Sequence, residues 1–229
     1  MKIHGLQKMT LLDYPSKVAA TVFLGGCDFS CPYCHNYEIV DGSAAPIMDE
    51  AELFSFLAKR KGLLDGVAIT GGEPCLHKEL PDFISRIKEM GFLIKLDTNG
   101  YHPEMVEKLL SDRLIDYIAM DIKNSPAKYQ ITSGLTSIDL SIISRSISLI
   151  MNSEIPYEFR TTTIAEFHNN DDFEEISKWI AGAKAYYLQQ FTPRDTVPDK
   201  SLTPPSKEDM LRYLKTVKKH VSNAELRGL

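Results

Sequence analysis

A chain of 229 residues, 43% hydrophobic and with a formal net charge of −5, has the size and composition of one soluble globular domain with a substantial core. The acidic balance argues against a general grip on phosphate backbones, which needs a basic face. No stretch approaches the roughly 18 apolar residues that cross a bilayer, and Met1-Lys2-Ile3-His4-Gly5 carries no apolar signal run, so the expectation is a cytoplasmic protein that binds neither nucleic acid nor membrane.

Residues 1–16 read as an N-terminal extension. Lys17–Leu24 (KVAATVFL) is apolar and β-branched, the pattern of a buried strand. Asp49–Lys61 reads as a helix, with Asp49 as cap, Glu52 completing a capping box and Gly62 as stop. The next strand is Gly66–Thr70, followed by a helix over Leu80–Met90 that Gly91 ends. Phe92–Leu96 is a strand, Pro103–Leu110 a helix with Pro in its first turn, Ile115–Met120 a strand and Asp139–Met151 a helix. Tyr157–Ile164 is a Thr-rich strand, Asp171–Ile180 a helix, Ala185–Gln190 a strand and Ser206–Lys219 a closing helix.

Strands that alternate with helices imply a parallel sheet. A full eight-unit barrel takes about 250 residues, whereas this chain offers six units. The expected α/β fold is therefore a partial (βα)6 TIM-type barrel, open on one side, in a single domain. The Pro-rich segment 192–205 before the last helix reads as a surface connector or as a flank of that opening.

Three of the four cysteines, Cys27, Cys31 and Cys34, lie within eight residues directly after the first strand. A disulfide framework would spread them along the chain; tight clustering points to metal or redox chemistry. Three thiolates can bind three irons of a [4Fe–4S] cube and leave the fourth iron without a ligand in this run. Two other readings stand beside this one: a structural zinc site completed by His35 or Cys75, and unrelated buried thiols.

The run Cys-x-x-x-Cys-x-aromatic-Cys, followed after the second strand by Gly71-Gly72-Glu73-Pro74, resembles the radical S-adenosylmethionine (SAM) superfamily. Asp97-Thr98-Asn99-Gly100 after the third strand and Asp121-Ile122-Lys123 after the fourth are similar to the glycyl-radical-enzyme activases. The opening Gly5-Leu6-Gln7-Lys8-Met9-Thr10-Leu11-Leu12-Asp13-Tyr14-Pro15 and the later Gln189-Gln190-Phe191-Thr192-Pro193 are similar to the activating proteins of anaerobic ribonucleoside-triphosphate reductase.

This resemblance implies that Cys27, Cys31 and Cys34 hold a [4Fe–4S] cluster whose open iron takes the amino and carboxylate groups of SAM. One electron then splits the sulfonium C–S bond and leaves a 5′-deoxyadenosyl radical, chemistry that belongs to the cofactors while the protein orients them. By the same resemblance Tyr33 lies against the adenine, with the backbone of Cys34 and His35 beside it, unless Tyr33 is a packing aromatic. Gly71 and Gly72 let the chain approach the methionine moiety or simply make a tight turn. Glu73 bonds the SAM ammonium or braces its loop. Asp97 and Asp121 hold a monovalent cation near the SAM carboxylate, with backbone oxygens from Thr98 and Ile122; the alternative for Asp97 is a helix cap. Lys123 and Arg160 bind the SAM carboxylate, or are ordinary surface charges.

Pyruvate formate-lyase activases carry a ribose-contacting His near the sixth strand, where this chain has Thr192; Gln190 is the substitute candidate. Cys75 is left as a buried thiol, so no cysteine remains for a second cluster. The implied partner is a glycyl-radical enzyme, with anaerobic ribonucleoside-triphosphate reductase first, and the implied electron donor is of flavodoxin or ferredoxin type. The competing functions are activation of another glycyl-radical enzyme, a small-molecule reaction such as a deazapurine ring contraction, and a non-enzymatic zinc module.

Overall fold

A computed structural model describes residues 1–229. Its strands are β1 (Lys2–Thr10), β2 (Ala19–Leu24), β3 (Met48–Asp49), β4 (Gly66–Gly71), β5 (Leu93–Thr98), β6 (Tyr117–Asp121), β7 (Tyr157–Thr163), β8 (Tyr186–Gln190) and β9 (Ala224–Arg227). The helices are α1 (Tyr37–Val40), α2 (Glu50–Ala58), α3 (Leu80–Glu89), α4 (Pro103–Ser111), α5 (Tyr129–Ser133), α6 (Leu140–Met151), α7 (Asn170–Trp179) and α8 (Lys207–Val217). All strands join one sheet in the order β3-β1-β2-β4-β5-β6-β7-β8-β9. From β2 through β9 every neighbouring pair is parallel. The ends β3 and β9 do not pair with each other, so the barrel is open as expected.

Three strands, β1, the two-residue β3 and β9, correct the sequence reading. The supposed extension contains β1, antiparallel to β2 along its length and paired with β3 at Lys2 and Ile3. Only Ile3 and Thr10 of β1 are buried, so it has no apolar run to announce it. The chain also returns after α8 as β9, parallel to β8. The helix signals hold more closely. Asp49 Oδ1 accepts the Glu52 N–H at 3.0 Å while Glu52 accepts the Asp49 N–H at 3.0 Å, a reciprocal cap worth about 1 kcal/mol. Ser206 caps α8 by accepting the Asp209 N–H at 3.0 Å.

Because successive strand residues point to opposite faces, the parallel register sorts this sheet into an apolar and a polar side. Val67, Ile69, Ile94, Leu96, Ile118 and Phe159 share the face packed under the helices and are fully buried. Each contributes roughly 1.5–3 kcal/mol of burial free energy. The opposite, inner face carries Thr70, Lys95, Asp97, Tyr117, Asp121, Glu158, Arg160 and Thr162. At its lower end Tyr117 Oη donates to Glu158 at 2.9 Å and Arg227 of β9 grips the same carboxylate through two bonds of 2.9 Å. At its upper end, beyond the C-terminal tips of the parallel strands, a cavity opens.

The segment 192–205 is no free connector. Val197 and Leu202 are buried, and the Asp199 N–H donates to Pro32 O at 3.0 Å, pinning the segment to the cysteine loop. No helix of the chain is long and apolar enough to cross a membrane.

Candidate functional site

The cavity is lined by Cys27, Cys31, Cys34, Tyr33 and His35 from the loop after β2, Gly71 and Gly72 after β4, Asp97 at the end of β5, Asp121 and Lys123 after β6, and Arg160 of β7. Most of the residues that the sequence singles out thus converge on one place. The cause is the parallel sheet, which delivers successive strand ends to the same rim.

Backbone contacts fasten the first two loops together. Gly72 N–H donates to Leu24 O and Glu73 N–H to Gly26 O, both at 2.8 Å. A Cβ at Gly72 would stand 1.9 Å from Gly26 O, and one at Gly71 (φ +122°) 2.2 Å from Leu24 O. These two glycines are therefore required by the approach of one backbone to another. Asn36 Nδ2 adds a bond to Gly71 O at 3.0 Å. On the far side, Ser30 N–H donates to Ser133 O at 2.9 Å, and a Cβ on Gly134 (φ +71°) would meet Ser30 O at 2.0 Å.

No cysteine is in a disulfide; Cys31 is buried, Cys27 and Cys34 half-buried. Burial pushes the Cys27 thiol up to about 12, helped by the nearby Glu73 carboxylate, and the Cys31 thiol up to about 11; Cys34 is raised for the same reason. Phe29 N–H points at Cys27 Sγ (3.4 Å), and Asn99 Nδ2 lies 3.8 Å from the same sulfur. The three thiols line one cavity, and their chemistry suits a [4Fe–4S] cube, which takes each thiolate on a separate iron. Cys75, buried at 3% exposure in a short turn after Glu73, does not line the cavity.

Tyr33 is buried at the cavity wall with its ring 6.3 Å from that of Phe167. His35 stacks flat on Phe191 (5.7 Å between centroids, 2° between planes), with Nε2 2.8 Å from Thr192 O. The late loop thus reaches the cysteine loop through His35.

One open alternative is decided, at Glu73, and three expectations need correction, at Ile122, at Gln190 and for the cation. Glu73 is 0% exposed and does not line the cavity. It accepts from Asn99 N–H (2.6 Å), Cys75 N–H (2.8 Å) and Thr98 Oγ1 (2.8 Å), so it braces the loops from outside the cavity. Ile122 is fully buried, and its carbonyl accepts Thr161 Oγ1 at 2.7 Å. Gln190 is absent from the lining and donates its amide to Pro205 O at 2.8 Å. Finally, the monovalent cation expected between Asp97 and Asp121 does not fit, because the chain's own cations cap those oxygens. Arg160 reaches both carboxylates, Nη1 at 3.4 Å from Asp97 and Nε at 2.9 Å from Asp121. Lys123 Nζ is 3.0 Å from Asp121, and Lys95 caps Asp97. Burial alone would push both carboxyls up. The charges of Arg160 with Lys95 outweigh it at Asp97, and those of Arg160 with Lys123 hold Asp121 well below the usual carboxylate range.

Sequence reasoning missed Phe29, Asn36, Val40, Thr70, Asn99 and Thr162 in the lining. Thr70 and Thr162 carried a signal: each is a polar residue on the inner face near the C-terminal end of its strand. Phe29, Asn36 and Val40 carried none, since loop and α1 positions follow no period.

A family model of the radical SAM superfamily matches residues 21–180. Over 99% of this chain and 96% of the other, the sequence is 36% identical to a Methanocaldococcus jannaschii protein whose name marks it, provisionally, as a glycyl-radical enzyme activating enzyme. It is 34% identical to the pyruvate formate-lyase-activating enzyme of Listeria monocytogenes over 77% of this chain and 73% of that enzyme. Among solved structures, Streptococcus suis SuiB bound to S-adenosylmethionine is similar with a TM-score of 0.68 at 10% identity, over 91% of this chain and 52% of that one. At that identity the likeness concerns the fold alone.

Proposed function

Because the chain belongs to the radical SAM superfamily, whose members use a [4Fe–4S] cluster and SAM, we propose that it is an activase that installs a glycyl radical on an anaerobic ribonucleoside-triphosphate reductase. The observation that carries this reading is the meeting, in one cavity, of the three thiols with the Asp97, Asp121, Lys123 and Arg160 group, in a chain similar along 99% of its length to the Methanocaldococcus jannaschii protein named provisionally as a glycyl-radical enzyme activating enzyme. When bound, the cluster and SAM supply a 5′-deoxyadenosyl radical that takes hydrogen from a glycine Cα.

The chain's own residues bind and orient. Cys27, Cys31 and Cys34 hold the cluster. Tyr33, with the backbone at Cys34 and His35, offers the adenine an aromatic wall. The loop of Gly71 and Gly72, which lines the cavity, would face the methionine moiety. Lys123, Arg160 and Lys95 set three positive charges against the two carboxylates, and the surplus of one attracts the SAM carboxylate. A partner's glycine loop must order itself to enter such a cavity, so docking is expected to follow SAM binding. A flavodoxin- or ferredoxin-type protein would supply the electron.

A second reading, activation of pyruvate formate-lyase or a similar enzyme, is favoured by the Listeria relative. The test is anaerobic reconstitution with dithionite and SAM, with either candidate partner added, followed by electron paramagnetic resonance. A glycyl radical on the reductase alone supports the first reading and one on the lyase alone the second. 5′-Deoxyadenosine without a radical on either protein would sink the activase reading.

A further inference from the structure

The inner face of the sheet carries a row of charges of alternating sign: Lys95 and Asp97 on β5, Arg160 on β7, Asp121 at the end of β6 and Lys123 just beyond it. The four carboxylate oxygens each meet a cationic nitrogen. Lys95 Nζ bonds Asp97 Oδ1, Arg160 Nη1 lies 3.4 Å from Asp97 Oδ2, Arg160 Nε 2.9 Å from Asp121 Oδ1, and Lys123 Nζ 3.0 Å from Asp121 Oδ2. Lys95 differs from the others in its place. Its side chain is 2% exposed and it does not line the cavity, whereas Asp97, Asp121, Lys123 and Arg160 all do. It is a lysine buried in the barrel with a single partner, Asp97, and the reading of the site given above has no contact with a ligand for it to make.

A buried ammonium is costly to keep unless it compensates a charge that must remain. The charge that must remain here is Asp97, which faces the cavity. We infer that Lys95 is a tethered cation: it neutralises Asp97 from behind, in the role that a free sodium or potassium ion would otherwise fill, and so makes binding of a carboxylate-bearing ligand in this cavity independent of monovalent ions. The count of charges agrees. Three cations against two carboxylates leave a surplus of one, which suits one incoming carboxylate. A free metal cation would raise that surplus to two while finding every carboxylate oxygen already engaged. With Lys95 removed, Asp97 loses its partner behind the cavity, the local balance falls to zero, and a monovalent ion gains both an open oxygen and an electrostatic reason to bind. Lys95 is thus a positioning and charge-setting residue; it touches no reacting atom.

The inference rests on the SAM-binding reading for one of its two measurements only. The first measurement is ion binding itself, followed by thallium-205 resonance on reconstituted wild-type protein and on Lys95→Met without any SAM. No saturable site is expected in the wild type, and one that potassium displaces is expected in the variant. The second is the SAM dissociation constant in potassium chloride and in tetramethylammonium chloride at equal ionic strength. A change below twofold is expected for the wild type. For Lys95→Met, affinity should fall at least tenfold in tetramethylammonium and be restored by potassium, a rescue that mere structural damage does not produce. A wild-type protein that binds thallium saturably, or whose SAM affinity falls tenfold without potassium, overturns the inference. So does a Lys95→Met variant with full affinity in both salts. If that variant does not fold, the wild-type measurements still decide, and Lys95→Met combined with Asp97→Asn, which removes both charges, should bind no ion. Failure to bind SAM in any salt would count against the proposed function, while the thallium result would still judge the role of Lys95.

Discussion

At Glu73 a carboxylate is wholly buried and still retained, because three donors from the β4–β5 region converge on its two oxygens. Glu73→Gln turns one oxygen into a donor that faces another donor, at a cost of about 1–3 kcal/mol. Thermal melting should show that loss in the apo protein, where no SAM contact exists to be broken; an unchanged melting temperature would mean that the brace is not what Glu73 provides. The cysteines separate as sharply. Cys31→Ser should abolish iron incorporation and SAM cleavage while circular dichroism still reports the folded barrel. Cys75→Ala should keep its full iron content, since Cys75 lies outside the cavity. Iron assays on the two variants check both statements, and iron retained in Cys31→Ser would remove that residue from the ligand set.

Elements were legible in proportion to how much of their signal is local. The capping box at Asp49, the Pro and Gly punctuation and the β-branched runs located α2–α4, α6–α8 and the six parallel strands from β2 to β8 to within a few residues. β1, β3 and β9 escaped because their stability comes from neighbours distant in sequence; β1 buries only two of its nine residues and β3 has only two. The site was legible at its cysteines, glycines and strand-end charges. It was left open at Glu73 and misread at Ile122 and Gln190, where sequence order gives no hint of which partner a polar group has already found. α5 shows the same limit: it was not foreseen, yet Gly134, which caps its C-terminus, abuts the cysteine loop at Ser30. Gly134→Ala places a Cβ on a left-handed backbone and against Ser30 O. It should cost more than about 1 kcal/mol and should displace the loop. The expected result is reduced iron loading per folded molecule in a protein whose far-ultraviolet spectrum is unchanged; normal loading would show that α5 does not position the loop.

Across the whole molecule, stability rests on polar groups locked inside the sheet as well as on the apolar face. His168 is buried and hydrogen-bonded, with Nδ1 accepting the Ile164 N–H at 3.2 Å and Nε2–H donating to Lys123 O at 3.1 Å. Burial pulls its pKa down to about 4. As pH falls below about 6.5 the unfolded chain takes up this proton first and the native state only near 4, so this histidine's contribution is whole at neutral pH and is lost across that window. The loss is of order 3 kcal/mol at most. Urea unfolding at pH 7.5 and pH 5 should show a smaller pH dependence in His168→Gln than in wild type; equal dependence would clear His168 of the effect. Arg227 makes a bidentate pair with Glu158, which is 1% exposed. Arg227→Met should cost about 2–4 kcal/mol by stranding that carboxylate, and adding Glu158→Gln should recover part of it. Denaturant midpoints of the single and double variants check this, and additive losses would show that the two side chains do not act as a pair.

The fastening of the cysteine loop to the glycine loop, Gly72 to Leu24 and Glu73 to Gly26 at 2.8 Å, has a consequence for the life of the protein in air. Metal sites that fold only around their ion lose their shape with it. Here the cysteine loop and the glycine loop are joined by hydrogen bonds between peptide groups, which do not depend on the metal. Damage to the inorganic part is then expected to leave those bonds standing, so that fresh iron, sulfide and reductant should restore the site without refolding of the chain.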